Sequence, residues 1–268
     1  MRRAVRVAGH FGEWLQGRLG PSGPVALATL PCPATGVAAR CRPGPPAAPL
    51  RLRGAGMAPE AAAAFLATLG LTLDGRVRLR PRAAPGLGTG VSTARLVALA
   101  RLAGWQGPAE ALAQACVAWE GASDPLMFDA PGRMLWASRE GRVLGALPAL
   151  PRHEILGGFR GPPCRTDPED DAFPDIADLV EDWARARDLA GFAALASESA
   201  ARCVALRGPA GDPVAGLAAR LGALGWVTAH TGAARGLIFA PGTIPAGAPA
   251  ALRAAGLRGI LRFAGGGG

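Results

Sequence analysis

The chain has 268 residues, half of them hydrophobic, and a formal net charge of +9 that rests on 29 basic residues, all of them arginine. That length and apolar content suit one large or two small domains around a shared core, and no apolar run nears the roughly 20 residues that cross a bilayer. The complete lack of lysine excludes the Gly-Lys-[Ser/Thr] ending of a P-loop NTPase, the protein-kinase lysine and a pyridoxal Schiff base.

The start, MRRAVRV, is basic and then apolar, but it meets Gly9, His10, Gly12 and Glu13 before a signal-peptide core can form. Strands are expected at Val5–Leu15 and Val25–Leu30 around a Gly-Pro-Ser-Gly turn. Alternation predicts further strands at Leu50–Arg53 and Val77–Arg80, flanking an alanine-rich helix at Pro59–Leu69. Helices Ala94–Ala103 and Pro108–Glu120 follow, the second with proline in its first turn, and then strands Arg133–Ala137 and Val143–Leu147. A proline-rich stretch divides the chain into 1–150, a mixed sheet backed by helices, and 151–268. The second part alternates strand Ile155–Phe159, helices Ile176–Arg187, Gly191–Leu206 and Pro213–Leu224, strands Trp226–Ala229 and Gly236–Ala240, helix Ala248–Ala255 and strand Gly259–Phe263. This order predicts an α+β layer with an antiparallel sheet on one side, and 265–268 reads as a frayed tail.

Cys32, Cys41, Cys116, Cys164 and Cys203 are odd in number and contain no Cys-x-x-Cys pair, which points to a reducing, cytoplasmic setting without structural zinc. The arginines are scattered along the sequence with no basic run interleaved with aromatics. Neither nucleic acid nor a membrane is therefore an expected partner, and the charge reads as an attraction for anionic substrates. The acidic run Asp167, Glu169, Asp170 and Asp171 reads as a solvated loop.

The segment most suggestive of chemistry is Pro85, Gly86, Leu87, Gly88, Thr89, Gly90, Val91, Ser92 and Thr93. Its glycines let the backbone take positive φ and turn successive N–H groups toward an anion, although a tight turn uses glycine in the same way. Ser92 and Thr93 are expected to cap the helix that follows, whose positive end adds to the attraction. Without lysine, such a phosphate site rests on amides, hydroxyls, arginine and metal. Glu120 ends a helix just before Gly121-Ala122-Ser123, where the helix dipole disfavours a carboxylate. With Ser92 or Thr93 it could offer magnesium the one or two oxygens that the ion needs, the alternative being a solvated helix end. Asp124, leading into a short apolar strand at 126–128, either accepts a proton from a hydroxyl or caps a turn, with Asp129 as its rival.

The glycine loop closing on Ser-Thr-Ala resembles the second motif of the GHMP kinases, the superfamily of galactokinase, homoserine kinase and mevalonate kinase. GHFGEWLQGRLGPSGPVALATLPCP, residues 9–33, is similar to the opening of the L-threonine kinases of cobalamin synthesis. AQACVAWEGASDPLMF, residues 113–128, resembles their helix ending in Glu followed by a turn and Asp, and HTGAARGLIFAP, residues 230–241, their His-[Ser/Thr]-Gly turn. The resemblance implies a GHMP-kinase-like two-domain α+β fold with an N-terminal mixed sheet and a C-terminal ferredoxin-like α/β layer. It implies ATP and Mg2+ as cofactors, and a small-molecule amino-acid acceptor, L-threonine, phosphorylated on its side-chain hydroxyl. Homoserine or an isoprenoid alcohol, and a non-catalytic nucleotide-binding role, stay open as alternatives, and a homodimer is compatible with the family. Asp124 and Glu120 would be catalytic, the loop 85–93 would hold ATP, and Glu120 with Ser92 would hold the metal. His10, Glu13, Gln16, His230 and Thr231 would hold the acceptor, with Glu13 apt for its ammonium and an arginine or amide for its carboxylate. The chain departs from the family at Val91, where a serine is usual, and at His10-Phe11, where small residues or Cys are common. The lost hydroxyl removes a ligand for phosphate or magnesium.

Overall fold

A long antiparallel hairpin, β1 (Arg3–Arg18) against β2 (Val25–Arg42), runs through the middle of the molecule. The computed structural model describes residues 3–45, 48–54, 56–164, 167, 169–170 and 172–267. Both strands outrun their expected ends because the register slips between Val7 and Gly9, between His10 and Glu13, and between Glu13 and Leu15. Prolines 31 and 33, which read as a strand end, fall beside the first of these bulges, where the ladder is already broken and a missing N–H costs little. Thr35 fastens the bulge by donating from Oγ1 to the carbonyls of His10 and Cys32. Gly36 is required there, since at φ 92° a Cβ would stand 2.2 Å from the Val7 carbonyl oxygen.

The remaining strands are β3 (Arg51–Arg53), β4 (Arg76–Pro81), β5 (Met134–Ala137), β6 (Arg142–Ala146), β7 (His153–Phe159), β8 (Gly225–Thr228), β9 (Ala234–Phe239) and β10 (Arg258–Gly265). They form one sheet in the order β10-β7-β9-β8-β1-β2-β4-β3, with β5 and β6 branching from β2. Helices α1 (Pro59–Thr68), α2 (Val91–Ala103) and α3 (Ala109–Glu120) cover one face of the β1–β2–β4 part; Phe65, Leu96 and Leu99 meet Val37, Val77 and Leu79 there. In the second half come α4 (Ala177–Arg185), α5 (Leu189–Arg207), α6 (Val214–Arg220) and α7 (Ala248–Ala254). Its strand order, β10-β7-β9-β8, is that of a ferredoxin-like βαββαβ layer. The 150/151 division falls between β6 and β7. The β1–β8 ladder that joins the two parts of the sheet consists of one residue pair, Glu13 with Thr228, reinforced by Gln16, whose Nε2 donates to the carbonyl and hydroxyl oxygens of Thr228.

Several expected boundaries move. The helix expected at 176–187 stops at Arg185, and Asp188 caps α5 by accepting from the Gly191 amide at 2.8 Å. Residues 125–128 form a turn instead of a strand: Pro125 starts it, and the Leu126 and Phe128 amides bond back to the carbonyls of Asp124 and Pro125. The glycine tail is anchored, with Gly265 opposite His153 in β10 and the Gly267 amide on the Leu150 carbonyl; Gly268 lies outside the described residues. Helix α5 is long and apolar enough to cross a membrane, with a mean hydropathy of 1.3, against the expectation from the sequence. Here its Phe192, Ala193, Ala196 and Ala200 are buried, and it packs on β1 and β8.

Candidate active site

Helix α2 begins at Val91, three residues before the expected start, because Gly90 itself takes the N-cap position at φ 67°. Neither Ser92 nor Thr93 caps it, which corrects the sequence reading; both lie inside the first turn and bond sideways. The Ser92 hydroxyl donates to Glu120 Oε1 at 2.5 Å, and Thr93 Oγ1 accepts the Asp124 amide at 3.2 Å. The first-turn amides keep no acceptor within the helix and remain available at its positive end. Glu120, at the C-terminus of α3, is held at an otherwise unfavourable dipole end by Arg95, whose Nη2 lies 2.8 Å from Oε1.

The loop before α2 is braced from behind. The Leu87 carbonyl accepts the amides of Ala233 and Ala234, so Leu87 faces the β8–β9 turn. A Cβ on Gly88 would come 2.2 Å from Ala229 Cβ and 2.6 Å from the Thr231 carbonyl oxygen. Gly88 is therefore glycine for the sake of packing against 229–231 as much as for any ligand. On the open side lies a cleft of about 640 Å³, lined by the loop, Ser92, Glu120, Ser123, Asp124, His10, Glu13, His230 and Thr231. Such a volume suits a small-molecule site. Within its walls Thr89 Oγ1 and Ser123 Oγ are buried with no protein partner. Asp129 is exposed and not among the lining residues, and Gln16 is fully buried at the β1–β8 seam.

His10 sits between two carboxylates, with Nδ1 3.1 Å from Glu13 Oε1 and Nε2 3.4 Å from Asp124 Oδ1. Burial works against its charge, but the two carboxylates outweigh that and hold its pKa well above the ordinary value. Burial also opposes ionisation of Asp124; the His10 cation and the hydrogen bonds from His10 and Thr93 overcome it and lower the carboxyl pKa. For Glu13 burial prevails over His10 and its pKa rises.

His230 differs in kind. Burial, followed by the neighbouring Arg207, lowers its pKa to about 3, so it is a neutral ring. It stacks on Phe173 with centroids 4.2 Å apart, and its Nε2 accepts from Arg207 Nη1 at 3.1 Å. Arg139 enters the same corner, donating to the carbonyls of Asp167 and Asp170, while Arg207 pairs with the Asp170 carboxylate. The acidic run, expected to be solvated, is therefore engaged in part through Asp170; Asp171 lies outside the described residues. Arg95, Arg139 and Phe173 line the cleft and were not expected from the sequence. Arg95, one turn after Ser92, carried a signal in its i,i+3 spacing; Arg139 and Phe173 carried none.

No protein-family model and no curated protein matches this sequence. Solved structures do match. The Methanococcus jannaschii mevalonate kinase superposes with a TM-score of 0.66 at 9% identity over 98% of both chains. The L. major mevalonate kinase in complex with R-mevalonate gives 0.62 at 15% identity, covering 98% of this chain and 96% of that one. The homoserine kinase from Cytophaga hutchinsonii gives 0.58 at 14% identity, over 97% and 94%. The fold is the GHMP-kinase fold. In this example of it, the glycine loop, the Ser92–Glu120 pair and the Glu13–His10–Asp124 cluster all open into one cleft.

Proposed function

We propose that this chain is an ATP-dependent kinase acting on a small alcohol, with L-threonine as the acceptor. One observation carries the reading: the Ser92–Glu120 pair and the His10–Asp124 pair face a common cleft at the N-terminal end of α2. Polyphosphate would lie along the loop amides and the first turn of α2, with the unpartnered hydroxyls of Thr89 and Ser123 as further donors. Ser92 and Glu120 are hard oxygen donors of the kind magnesium accepts, and the bound ion would spread the charge of the phosphoryl group in transfer.

The acceptor hydroxyl hydrogen-bonds to Asp124. Its oxygen forms the new bond to the γ-phosphorus as the bond to the β-bridging oxygen breaks, ADP leaves, and the proton passes to Asp124. Because the transition state of phosphoryl transfer is loose, that proton leaves late, and a carboxylate with a lowered pKa is base enough. His10 fixes the orientation of Asp124 and adds positive charge beside the reacting oxygens. For an amino-acid acceptor, Glu13 and Arg139 are cleft groups of the right sign for ammonium and carboxylate. Threonine itself rests on the resemblance of residues 9–33 and 113–128 to threonine kinases.

Val91 does not count against turnover. Its side chain is 3% exposed and packs in the hydrophobic core under α2, while the neighbouring Ser92 is the hydroxyl that meets Glu120. The test is ADP and phosphoester formation by purified protein with MgATP and L-threonine, L-serine, D-threonine, L-homoserine or mevalonate. We expect O-phosphothreonine, a weaker reaction with L-serine because a lost methyl is worth only about 1–3 kcal/mol, and none with D-threonine. Faster turnover of homoserine or mevalonate overturns the threonine assignment, and no turnover of any acceptor overturns the kinase assignment.

A further inference from the structure

Arginines dispersed in sequence converge on one sheet face. In β4 the buried Val77 and Leu79 alternate with the exposed Arg76, Arg78 and Arg80. Across the ladder, Arg40 and Arg42 of β2 stand directly opposite Arg78 and Arg76. On the other flank Arg51 and Arg53 of β3 pair with the same two residues, and Arg6 of β1 lies opposite Ala38, itself opposite Arg80. The inward residues of these strands pack under α1 and α2, so all eight guanidinium groups project from the opposite, uncovered face. Among the described residues no carboxylate forms an ion pair with any of them.

Like charges directly opposite each other on a sheet repel. The absence of lysine from the chain accounts for the residue type, but not for the fact that on this face the described residues of the four strands include no acidic side chain, Asp74 lying just before β4. Guanidinium groups bind phosphate through paired donors. Along a strand the charges recur about every 6.8 Å, and across strands about every 4.8 Å. Among the described residues of these strands the face carries no aromatic side chain on which single-stranded bases could stack, and its apolar residues, Ala4 and Ala38, are too small to enter a bilayer. A sheet twists by roughly 20–25° per strand, so the side-chain tips follow a saddle, which fits a cylinder better than a plane.

We propose that the outer face of β1–β2–β4–β3 is a sequence-independent binding site for the phosphate backbone of a nucleic-acid duplex. The site is independent of the cleft and of the reaction proposed there.

The test is fluorescence anisotropy of full-length protein with labelled duplex DNA and duplex RNA across a salt series. Binding should weaken steeply with salt. The variant Arg40→Ser/Arg76→Ser/Arg78→Ser should flatten the slope of log K against log salt by about 3 and lower affinity at least tenfold, and Arg78→Ser alone should flatten it by about 1. A control of equal charge, Arg185→Ser/Arg220→Ser/Arg253→Ser, should bind as the parent does, and ATP affinity and Tm of the sheet variants should not fall. The proposal is overturned if the control loses as much affinity as the sheet variant, if duplex binding is absent or independent of salt, or if phosphatidylserine vesicles bind at salt concentrations where duplexes do not.

Discussion

His10, His153 and His230 are the chain's three histidines, and their surroundings set the first apart from the other two. His10 is clamped by Glu13 and Asp124 and is raised well above its ordinary value, His153 is lowered by burial, and His230 is lowered to about 3. A histidine with a raised folded pKa stabilises the fold fully below its unfolded pKa of about 6.5 and loses that contribution as pH rises through the folded value. Asp124, lowered, contributes above its unfolded pKa of about 3.9 and loses its contribution as the pH falls through the folded value. Nitrogen-15 NMR at pH 7 should therefore show one imidazolium, His10, and two neutral rings. Asp124→Asn should lower the His10 pKa, and a neutral His10 in the parent protein would contradict the clamp. Kinetically, Glu120 and Asp124 should fail differently. Glu120→Gln should raise the Mg2+ concentration needed for half-maximal rate and be rescued in part by excess metal. Asp124→Asn should keep its MgATP affinity and turn over about 10²-fold more slowly. Indistinguishable metal dependence, or a wild-type rate, removes the respective role.

At the scale of elements, the glycine loop is held by the β8–β9 turn through Leu87, Ala233 and Ala234, so its shape depends on sequence more than 140 residues away. Gly88→Ala should accordingly destabilise the protein by more than Gly222→Ala. Both positions have positive φ, which costs about 1 kcal/mol, but only at Gly88 does the new methyl meet Ala229, adding about 1–3 kcal/mol of overpacking. Equal Tm losses in the two variants would show that the loop is not braced in this way. The loop, α2, α3 and the alternation of β4 were legible because glycine spacing and hydrophobic period are local signals. The extension of β2 through Pro31 and Pro33 was not, since a bulge tolerates prolines only by virtue of its partner strand. The start of α2 was misplaced because Ser92 and Thr93, good capping residues in isolation, find better partners in Glu120 and the Asp124 amide.

Across the whole molecule, the two parts of the sheet are joined by one backbone pair and by the Gln16–Thr228 hydrogen bonds, all buried. Gln16→Leu removes the donor and leaves the buried Thr228 oxygens short of a partner, a loss of about 1–3 kcal/mol. Thermal unfolding should shift down accordingly, whereas an unchanged Tm would mean that these hydrogen bonds do not hold the seam. Glu13 and Gln16 read alike in the sequence, as polar residues in a glycine-flanked motif, yet the pleat and its bulges send one to the cleft and the other to the seam. Spacing alone could not separate them. The same limit hid the arginine face, whose members are neighbours only through strand pairing.

The central claim is that one cleft binds MgATP and passes its γ-phosphoryl group to an alcohol positioned by Asp124. Phosphorus-31 NMR of purified protein with MgATP and L-threonine tests it most directly, with the Asp124→Asn variant run alongside. Conversion of the γ-phosphate into a phosphomonoester of threonine together with ADP is expected in the parent protein, slowed about 10²-fold in the variant. An intact γ-phosphate, or release of inorganic phosphate at the same rate in both proteins and no phosphoester, would contradict it.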